Sequence, residues 1–583
     1  MINKKTQAPL PPFSTQEDAD PQDTNLLEQA QQHHQNGELQ IAESLYRSFL
    51  ETVPSHPGTL HNLGVIGLQT GHVGAALKLF QCAVTADPEF ADAYCNLGIA
   101  LKAQGQLAEA EAAYRRAIEI HPDMAEAHSN LGVTLKDQSR LDAAAVAFEK
   151  AVAINPEYTD ALSNLGIALK ELGRIEEAIG MFRRAAALHP DQPELIANLG
   201  AALLEVDDAN EAERILMRAL TVCPDSAEIN YNCAKAMFSK GDFPGAEHHF
   251  QRAIAIDPKF SDAHHNLGHV LLIQGRLTEG WREYGWRWLA KRFNRAPRAF
   301  PYPLWDGSQL NGKTILVWSE QGVGDKLLFS GLIPELAQHA ERCVIETEPR
   351  LATLFRRSFP GVDVVVRKDP PDGLISSSHF DFACPMGDLP RWLRPQLENF
   401  KPLGPYLQAD PELSAVCRSG YKSLGDGPII GISWASRPPK GIPLQDWGDI
   451  FAIPGAVFVN LQYGEHAEEI AIAEADFGVT IHTDCAIDSL SDIDGFAAQV
   501  AAMDAVVTIQ NATLYVASGL GIPTFAFVSP VPDWRWFGQD HSPWHETVHL
   551  NRYCESGGWN PALKKVAQIL NNSRTKPGIE ATE

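Results

Sequence analysis

The sequence predicts an α-helical solenoid of repeats followed by an α/β region with two lobes. An Asn-Leu-Gly triplet recurs at a spacing of 34 residues through the first half of the chain, with Asn-Cys-Ala in its place at Asn232. From residue 314 onward, short apolar segments rich in β-branched residues alternate with amphipathic segments, which is the pattern of a parallel sheet covered by helices. A glycine-containing loop at 321–325 ends the first apolar segment, at the point where α/β sheets hold their ligands.

The length and charge of the chain exclude several classes of protein. A chain of 583 residues is too long for one hydrophobic core, so several domains are expected. The 48 Lys and Arg against 73 Asp and Glu give a formal net charge of −25, which would repel nucleic acid and anionic membranes. The nine cysteines lack CxxC spacing, and no apolar run of about 18 residues is present. We therefore expect a soluble, cytoplasmic protein that has no membrane span and binds no nucleic acid.

Composition divides the chain into four segments. Residues 1–24 are rich in Pro, Gln and Asp and contain few large apolar side chains, so we predict that they are disordered. The repeats occupy 25–295. A connector with three prolines then begins, and the two predicted lobes cover 296–425 and 426–583.

Each repeat carries the same signature positions after its triplet. An alanine or other small residue stands twelve positions beyond the glycine, an aromatic residue usually follows four later, and a proline closes the unit. The small residues let two helices approach closely, the ring fills the space between them, and the proline ends the second helix. This pattern resembles the tetratricopeptide repeat. The resemblance implies about eight repeats in a curved superhelix whose concave face is lined by the first helix of each pair.

One asparagine of each repeat falls on a line along the predicted superhelix. The seven positions are Asn62, Asn96, Asn130, Asn164, Asn198, Asn232 and Asn266. An amide side chain offers a donor and an acceptor, so such a ladder can bind the backbone of an extended peptide of any sequence. The repeats of O-linked N-acetylglucosamine transferase, which these resemble, hold acceptor polypeptide in this way. The alternative is that asparagine is simply common at this position of tetratricopeptide repeats.

The loop after the first predicted strand carries a candidate catalytic residue. Gln321, Gly322 and Gly324 form a predicted acceptor loop, because glycines let a substrate come close to the backbone. Asp325 would be a carboxylate at a helix N-terminus, placed to take the proton of an attacking hydroxyl. The alternative is an N-cap aspartate, which is common. The loop is no dinucleotide fingerprint, because position 327 is leucine instead of glycine.

Strands and helices alternate regularly in both predicted lobes. In the first lobe we predict strands at 314–318, 343–346, 362–366 and 380–384, with helices at 326–339 and 350–355. In the second lobe we predict strands at 428–434, 457–462, 505–509 and 523–528, with a helix at 494–502. Such alternation is the signature of parallel sheets.

Two groups of residues at strand ends in the second lobe favour a phosphate. Arg437 and Lys440 lie in the loop after its first strand, although basic loops are often only solvated. Asn511, Ala512 and Thr513 begin a helix, and the unpaired N–H groups of a helix N-terminus suit a diphosphate or sugar phosphate. The sequence therefore predicts the donor-binding residues in this lobe.

Several short motifs together resemble a known class of enzyme. They are EQGVGD at 320–325, NLQYG at 460–464, QNAT at 510–513 with GIP at 521–523, and PDWRW at 532–536 with SPW at 542–544. In combination they resemble the bacterial tetratricopeptide glycosyltransferases, whose catalytic half is similar to the heptosyltransferases of the GT-B fold. The likeness extends over residues 25 to about 565.

The resemblance implies a GT-B-like region of two Rossmann-type lobes, with the acceptor on the first lobe and the nucleotide sugar on the second. It implies that Asp325 is the general base, that Lys440 contacts the donor phosphate, and that Gln462 lies on the donor side. It implies no metal, and no cofactor besides the nucleotide-sugar co-substrate. The class includes flagellin glycosyltransferases of alphaproteobacteria, which add a nonulosonic sugar. We therefore expect transfer of a sugar to Ser or Thr of a protein bound by the repeats, with flagellin as a candidate.

One region departs from the heptosyltransferase pattern. Those enzymes carry Asp-Thr at the start of the last helix and a histidine four residues beyond the threonine, where this chain has Gln510, Asn511 and Tyr515. The missing carboxylate makes the pocket less negative, which suits a phosphate. The identity of the donor sugar and of its nucleotide stays open. It also favours an alternative, in which the α/β half is degenerate and the protein is a non-catalytic adaptor. Transfer to a lipid-linked acceptor is a third interpretation, but it needs no peptide-binding solenoid.

Other polar and aromatic groups predict no separate chemistry. Asp492 and Asp494 mimic a metal-binding DxD motif but precede a helix, where capping is the more common role. Adjacent histidines on repeat helices, such as His264 and His265, face different directions and cannot chelate together, so we expect surface positions. Trp534 is more often a packing group than a sugar-stacking group.

Overall fold

Paired helices occupy the repeat region. The structure is a computed structural model, and it describes residues 21–291, 293, 297–436, 441–529, 531, 533–554 and 556–572. The repeat helices are α1 (Pro21–Gln35), α2 (Leu39–Thr52), α3 (Pro57–Gln69), α4 (Val73–Ala86), α5 (Ala91–Ala103), α6 (Leu107–Ile120), α7 (Ala125–Asp137), α8 (Leu141–Ile154), α9 (Thr159–Glu171), α10 (Ile175–Leu188), α11 (Pro193–Leu203), α12 (Ala209–Val222), α13 (Ala227–Ser239), α14 (Phe243–Ile256), α15 (Ser261–Ile273) and α16 (Leu277–Tyr284). These helices confirm the predicted tetratricopeptide solenoid.

The chain divides inside helix α13 into two compact units, Met1–Ala236 and Met237–Glu583. Helices α14, α15 and α16 therefore belong to the same unit as the α/β region, although the repeat pattern in the sequence continues to residue 295. At the other end, α1 begins at Pro21, within the segment predicted to be disordered. The remainder of that segment, residues 1–20, lies outside the described residues.

A glycine and a large side chain meet inside most of the helix pairs. A Cβ atom placed on Gly98 would lie 2.6 Å from Cε1 of Tyr114, and one on Gly132 would lie 2.7 Å from Cε1 of Phe148. Both partner rings are buried. The missing side chain thus lets the ring of the second helix lie against the backbone of the first, which is the packing that the sequence pattern predicted.

Replacement of Gly166 by alanine is expected to destabilise the first unit. The added Cβ would lie 2.6 Å from Cε1 of Phe182, and overpacking of this kind costs about 1–3 kcal/mol. Gly180→Ala is the matched control, because it lies in the second helix of the same repeat and its Cβ would meet no atom within 4 Å. That change should stabilise the helix by up to about 1 kcal/mol. Urea unfolding followed by circular dichroism measures both, and equal midpoints for the two variants would contradict the packing argument.

The first lobe is a four-stranded parallel sheet with strand order β3-β2-β1-β4. Its strands are β1 (Thr314–Trp318), β2 (Arg342–Thr347), β3 (Asp363–Val366) and β4 (Phe382–Pro385). Its helices are α17 (Val323–Ser330), α18 (Ile333–His339), α19 (Pro349–Ser358), α20 (Gly373–Ser377) and α21 (Leu389–Leu393). The central strand β1 is almost wholly buried, which explains its continuous apolar sequence.

The helix after β1 starts earlier than predicted. It begins at Val323 instead of 326, with Gly322 at its N-cap, and a second helix begins at Ile333. Asp325 therefore lies in the first turn of α17 and is not the N-cap residue. The position is the third of the helix, where a carboxylate is favoured by the helix dipole.

The second lobe is a six-stranded parallel sheet with strand order β10-β9-β8-β5-β6-β7. Its strands are β5 (Ile429–Ser433), β6 (Val457–Asn460), β7 (Ile481–His482), β8 (Ala505–Ile509), β9 (Thr524–Val528) and β10 (Val548–Arg552). Its helices are α22 (Pro411–Lys422), which precedes β5, and α23 (Gly448–Phe451), α24 (Ala467–Phe477), α25 (Ile493–Ala501), α26 (Ala512–Gly519) and α27 (Asn560–Asn572). The two strands at its edges, β7 and β10, were not predicted. No helix among the described residues combines the length and apolar composition needed to cross a bilayer.

Candidate active site where the last repeat and the two lobes meet

Asp325 in the first lobe is bound by an arginine from the second lobe. Its Oδ1 accepts hydrogen bonds from Nη2 of Arg535 at 2.5 Å and from Nε of Arg535 at 3.0 Å. Nη1 of Arg535 also donates to both carboxylate oxygens of Asp533, at 2.8 and 3.0 Å. Neither contact with Arg535 uses Oδ2 of Asp325. Arg535 therefore anchors the carboxylate through one oxygen.

The charge on Arg535 is stabilised by its two carboxylate partners. Burial by itself would lower the pKa of Arg535, but Asp325 and Asp533 together raise that pKa well above its ordinary value. The guanidinium carbon also lies 4.4 Å from the centroid of the Trp534 ring. The sequence motif PDWRW contained this arginine, but no local pattern indicated that its partner would be a residue 210 positions away.

The predicted acceptor loop contains three different environments. Gln321 is buried, and its Oε1 accepts a hydrogen bond from the Tyr284 hydroxyl at 2.9 Å. A Cβ on Gly324 would lie 3.1 Å from Cδ2 of Tyr515, so this glycine allows α17 to lie against α26. At Gly322 the nearest atom to an added Cβ is Oδ2 of Asp325, at 3.9 Å. Of the three positions, only Gly322 leaves space beside the candidate base.

The amino ends of helices α17 and α26 meet. A Cβ on Gly324, the second residue of α17, would lie 3.8 Å from Cα of Ala512, the first residue of α26. The unpaired N–H groups at a helix N-terminus carry a partial positive charge. Ala512 is half-buried, and the arrangement suits an anionic group at this junction.

Gln462 is bound to the backbone at the end of strand β5. Its Oε1 accepts hydrogen bonds from the Ser433 hydroxyl at 3.0 Å, from the Trp434 N–H at 3.1 Å and from the Ala435 N–H at 2.9 Å. The side chain is buried. Gln462 therefore fixes the start of the loop that follows β5, and its acceptor oxygen is already occupied.

Asn511 and Thr513 are also engaged within the protein. Nδ2 of Asn511 donates to the Ser433 hydroxyl at 2.7 Å, and Oδ1 accepts from the Thr513 N–H at 3.1 Å. The Thr513 hydroxyl donates to the backbone carbonyl of Leu461 at 3.3 Å. These side chains thus shape the loops that follow β5, β6 and β8. The two basic residues of the predicted phosphate site, Arg437 and Lys440, lie outside the described residues.

The two positions that depart from the heptosyltransferase pattern hold neutral polar groups. Oε1 of Gln510 accepts a hydrogen bond from the indole N–H of Trp536 at 3.2 Å. Tyr515 is 4% exposed, and its hydroxyl has no hydrogen-bond partner in the described part of the chain. Neither position therefore supplies a carboxylate or an imidazole.

The last repeat supplies an aromatic wall beside Arg535. In helix α15, the rings of His265 and His269 lie 4.6 Å apart. The His269 ring is parallel to Trp534, with centroids 5.9 Å apart, and Tyr284 lies 5.4 Å from Trp534. The sequence did not indicate this cluster of rings, because the pattern of a repeat helix that carries histidines does not differ from that of other surface helices.

The expectation of a surface position for His264 is wrong. Its side chain is only 11% exposed, and its Nδ1 lies 2.6 Å from Oε2 of Glu283. Its ring stacks on Trp286 with centroids 4.0 Å apart. The reason is that the chain after α16 forms the turn Gly285–Leu289, which covers this part of α15.

A buried ionic network joins the last repeat to the first lobe. Arg287 is fully buried, with Nη2 3.0 Å from Oε1 of Glu320 and Nη1 2.6 Å from Oδ1 of Asp388. The backbone N–H of Gly387 donates to Oε1 of Glu320 at 3.1 Å. Burial raises the pKa of Glu320, although Arg287 opposes the shift. The network holds the residues that precede Asp325.

The asparagine ladder is only partly exposed. Asn62 and Asn232 are buried, and Nδ2 of Asn96 lies 2.7 Å from Nε2 of His61 in the preceding repeat. The half-buried members are Asn96, Asn130, Asn164, Asn198 and Asn266. Peptide binding by the ladder stays a prediction. In the described residues, no group of three or more His, Cys, Asp or Glu side chains is arranged to hold a metal.

Comparison with known proteins supports the repeat assignment. Residues 13–230 match a family model described as the C-terminal domain of cilia and flagella-associated protein 70, and residues 234–275 match a tetratricopeptide-repeat model. The protein FlbA of Caulobacter vibrioides is 33% identical in an alignment 322 positions long, which covers 52% of this chain and 54% of FlbA. The chain thus spans about half the length of this relative.

Two solved structures resemble about a third of the chain. YrrB, described as having an unusual peptide-binding site, is 26% identical and covers 31% of this chain and 92% of its own, with a TM-score of 0.29. MamA is 27% identical and covers 28% of this chain and 94% of its own, with a TM-score of 0.26. The amino-terminal half of the chain is a tetratricopeptide solenoid, an architecture that binds other proteins.

Proposed function

We propose that this tetratricopeptide-repeat protein is a protein O-glycosyltransferase. In the proposed reaction, a Ser or Thr hydroxyl of an acceptor protein bound by the repeats attacks the anomeric carbon of a nucleotide sugar. The hydroxyl proton passes to Oδ2 of Asp325, and the bond from the anomeric carbon to the nucleotide phosphate breaks with its electron pair going to the phosphate. Flagellin is the acceptor and a nonulosonic sugar the donor group that the motif resemblance favours.

The observation that carries the proposal is the environment of Asp325. The carboxylate is anchored through one oxygen by Arg535, and its second oxygen lies beside the open position at Gly322. The last repeat reaches the same place through Tyr284, which contacts Gln321 and Trp534. A fixed carboxylate with an available oxygen is what a general base requires. The converging amino ends of α17 and α26 would stabilise the charge on the departing phosphate.

Intact-mass spectrometry of flagellin co-expressed with the protein tests the proposal. The host should also produce nonulosonic nucleotide sugars. We expect added masses in whole multiples of one sugar, removable by alkaline β-elimination because the link is to Ser or Thr oxygen. Flagellin of unmodified mass in cells that contain both the protein and the donor would contradict the proposal.

One observation favours a non-catalytic adaptor as a second candidate. The amides of Gln462 and Asn511 are occupied by internal hydrogen bonds. A thermal-shift panel of UDP-, GDP-, dTDP- and CMP-sugars separates the two functions, since a ligand at about 100 times its Kd stabilises a protein by roughly 2.7 kcal/mol. Stabilisation by one nucleotide class would support the enzyme, and no response to any of them would support the adaptor.

A further inference from the structure

Two histidines of the last repeat present hydrogen-bonding groups next to the candidate site. His265 and His269 are one turn apart on α15, so they lie on the same face of the helix. Both side chains are half-buried, and neither forms a hydrogen bond with a described residue. Polar groups in such a setting need a partner, either water or a ligand. The four ring nitrogens of His265 and His269 are therefore available to hydrogen-bond a ligand.

The histidine at 269 stands at a position that is apolar in five of the six earlier repeats that carry a ladder asparagine. It stands three positions after the ladder asparagine Asn266, and both lie on the same helix face. The five apolar residues are Val65, Ile99, Val133, Ile167 and Ala201, and the sixth equivalent is Lys235. All five are half-buried, as His269 is. An imidazole is thus not required by the repeat architecture.

Both imidazoles are neutral at pH 7. Burial, helped by the charge of Arg287, lowers the pKa of His265 to about 4. Burial, with smaller contributions from His265 and Arg535, lowers the pKa of His269 well below its ordinary value. A neutral imidazole has one donor and one acceptor nitrogen. That is the pair of functions needed to bind the N–H and C=O groups of a peptide backbone.

The two histidines are close to the carboxylate of Asp325, which would accept the proton. His269 lies against Trp534, and the neighbouring residue Arg535 holds Asp325. His269 also lies 5.7 Å from the ring of Tyr284, whose hydroxyl donates to Gln321. A peptide lying along α15 therefore comes close to Asp325.

We propose that His265 and His269 are acceptor-positioning residues, which hydrogen-bond the backbone of the acceptor segment whose Ser or Thr hydroxyl reacts at Asp325. The inference rests on the proposed function and specifies where the acceptor enters the site. In the sequence, the ladder asparagine Asn266 lies between the two histidines, on the first helix of its repeat, as the other six ladder asparagines do. For this reason the peptide, and not the sugar, is assigned to them.

The test uses the double variant His265→Ala/His269→Ile in the full-length chain. Alanine stands at the equivalent of 265 in another repeat (Ala197), and isoleucine at the equivalent of 269 (Ile99), so the helix should fold. With purified flagellin as acceptor, we expect the KM for flagellin to rise about tenfold or more, which is the loss of one to two hydrogen bonds. The kcat should change much less, and stabilisation by the nucleotide sugar should be unchanged.

Two further variants sharpen the test. The single variant His269→Gln retains His265 and places a side chain with a donor and an acceptor at 269. Its affinity for flagellin should be much closer to that of the wild type than the affinity of the double variant is. His248→Ala, an exposed histidine on helix α14 of the preceding repeat, should behave as wild type. An unchanged KM for flagellin in the double variant would overturn the inference while leaving the proposed function intact. Weaker stabilisation by the nucleotide sugar would overturn it too, by assigning the histidines to the donor. Absence of transfer by the wild-type protein would instead refute the proposed function.

Discussion

The Asp325→Asn variant is expected to transfer sugar at least about 100-fold more slowly than the wild-type protein, because general-base catalysis typically contributes 100-fold or more. Asparagine keeps the size of the side chain and an oxygen that can still accept from Arg535. It cannot take up the hydroxyl proton. Initial rates measured by intact mass of the acceptor, at saturating donor, give the comparison. Stabilisation by the nucleotide sugar should persist, which shows that the site is still assembled.

Asp533→Asn is the matched control for that experiment. Asp533 binds the same guanidinium as Asp325, with Nη1 of Arg535 at 2.8 Å, but it has no assigned role in proton transfer. The Asp533→Asn variant removes one of the two carboxylates that bind Arg535 and keeps the candidate base, Asp325. We expect a much smaller loss of rate. Equal losses in the two variants would show that Asp325 serves to hold Arg535 and is not the base.

Replacement of Arg287 by leucine is expected to give the largest loss of stability. The change leaves Glu320 and Asp388 without their cation in a buried setting, and breaking a buried ion pair in this way costs about 3–5 kcal/mol. Arg276→Leu, in the same repeat, is the control. Its side chain is 40% exposed with partners Glu247 and Glu279, and exposed pairs contribute at most about 1 kcal/mol. Urea unfolding of the second unit measures both changes.

The loss in Arg287→Leu should depend on pH in a defined direction. Burial already raises the pKa of Glu320 while Arg287 opposes it, so removing the arginine raises that pKa further. The native variant then binds a proton that the unfolded chain releases, and its stability falls as the pH rises. The stability deficit relative to wild type should be smaller at pH 5 than at pH 8. A deficit that is constant, or larger at pH 5, would contradict this account of the network.

The repeats and the central strands could be predicted because their signals are local. The 34-residue period repeats the same packing of a glycine against a ring, and β1 is buried on both faces, so its sequence is apolar throughout. The edge strand β10 has only two fully buried residues among its five. It lacks the continuous apolar run of a central strand, and it was missed for that reason.

The candidate site could be predicted only in part. The position of Asp325 after β1 follows from the order of strand, loop and helix. Its ion pair with Arg535 depends on how the two lobes pack together, and the periodicity of the sequence does not predict that packing. Gln462 and Asn511 each lie two residues beyond the end of a strand, and donor binding by them stays a prediction. Whether their amides meet a ligand or the backbone depends on hydrogen bonds that the sequence does not show.

The division of the chain inside α13 has a consequence for how such proteins can diversify. Residues from Met237 onward include α14 to α16, the buried network of Arg287 and both lobes. Repeats in a solenoid contact mainly their neighbours. Insertion or deletion of whole 34-residue units before Met237 would therefore change the length of the repeat surface without rebuilding the candidate site at Asp325. Under the proposed function, a change in repeat number would alter acceptor binding and leave the residues around Asp325 in place.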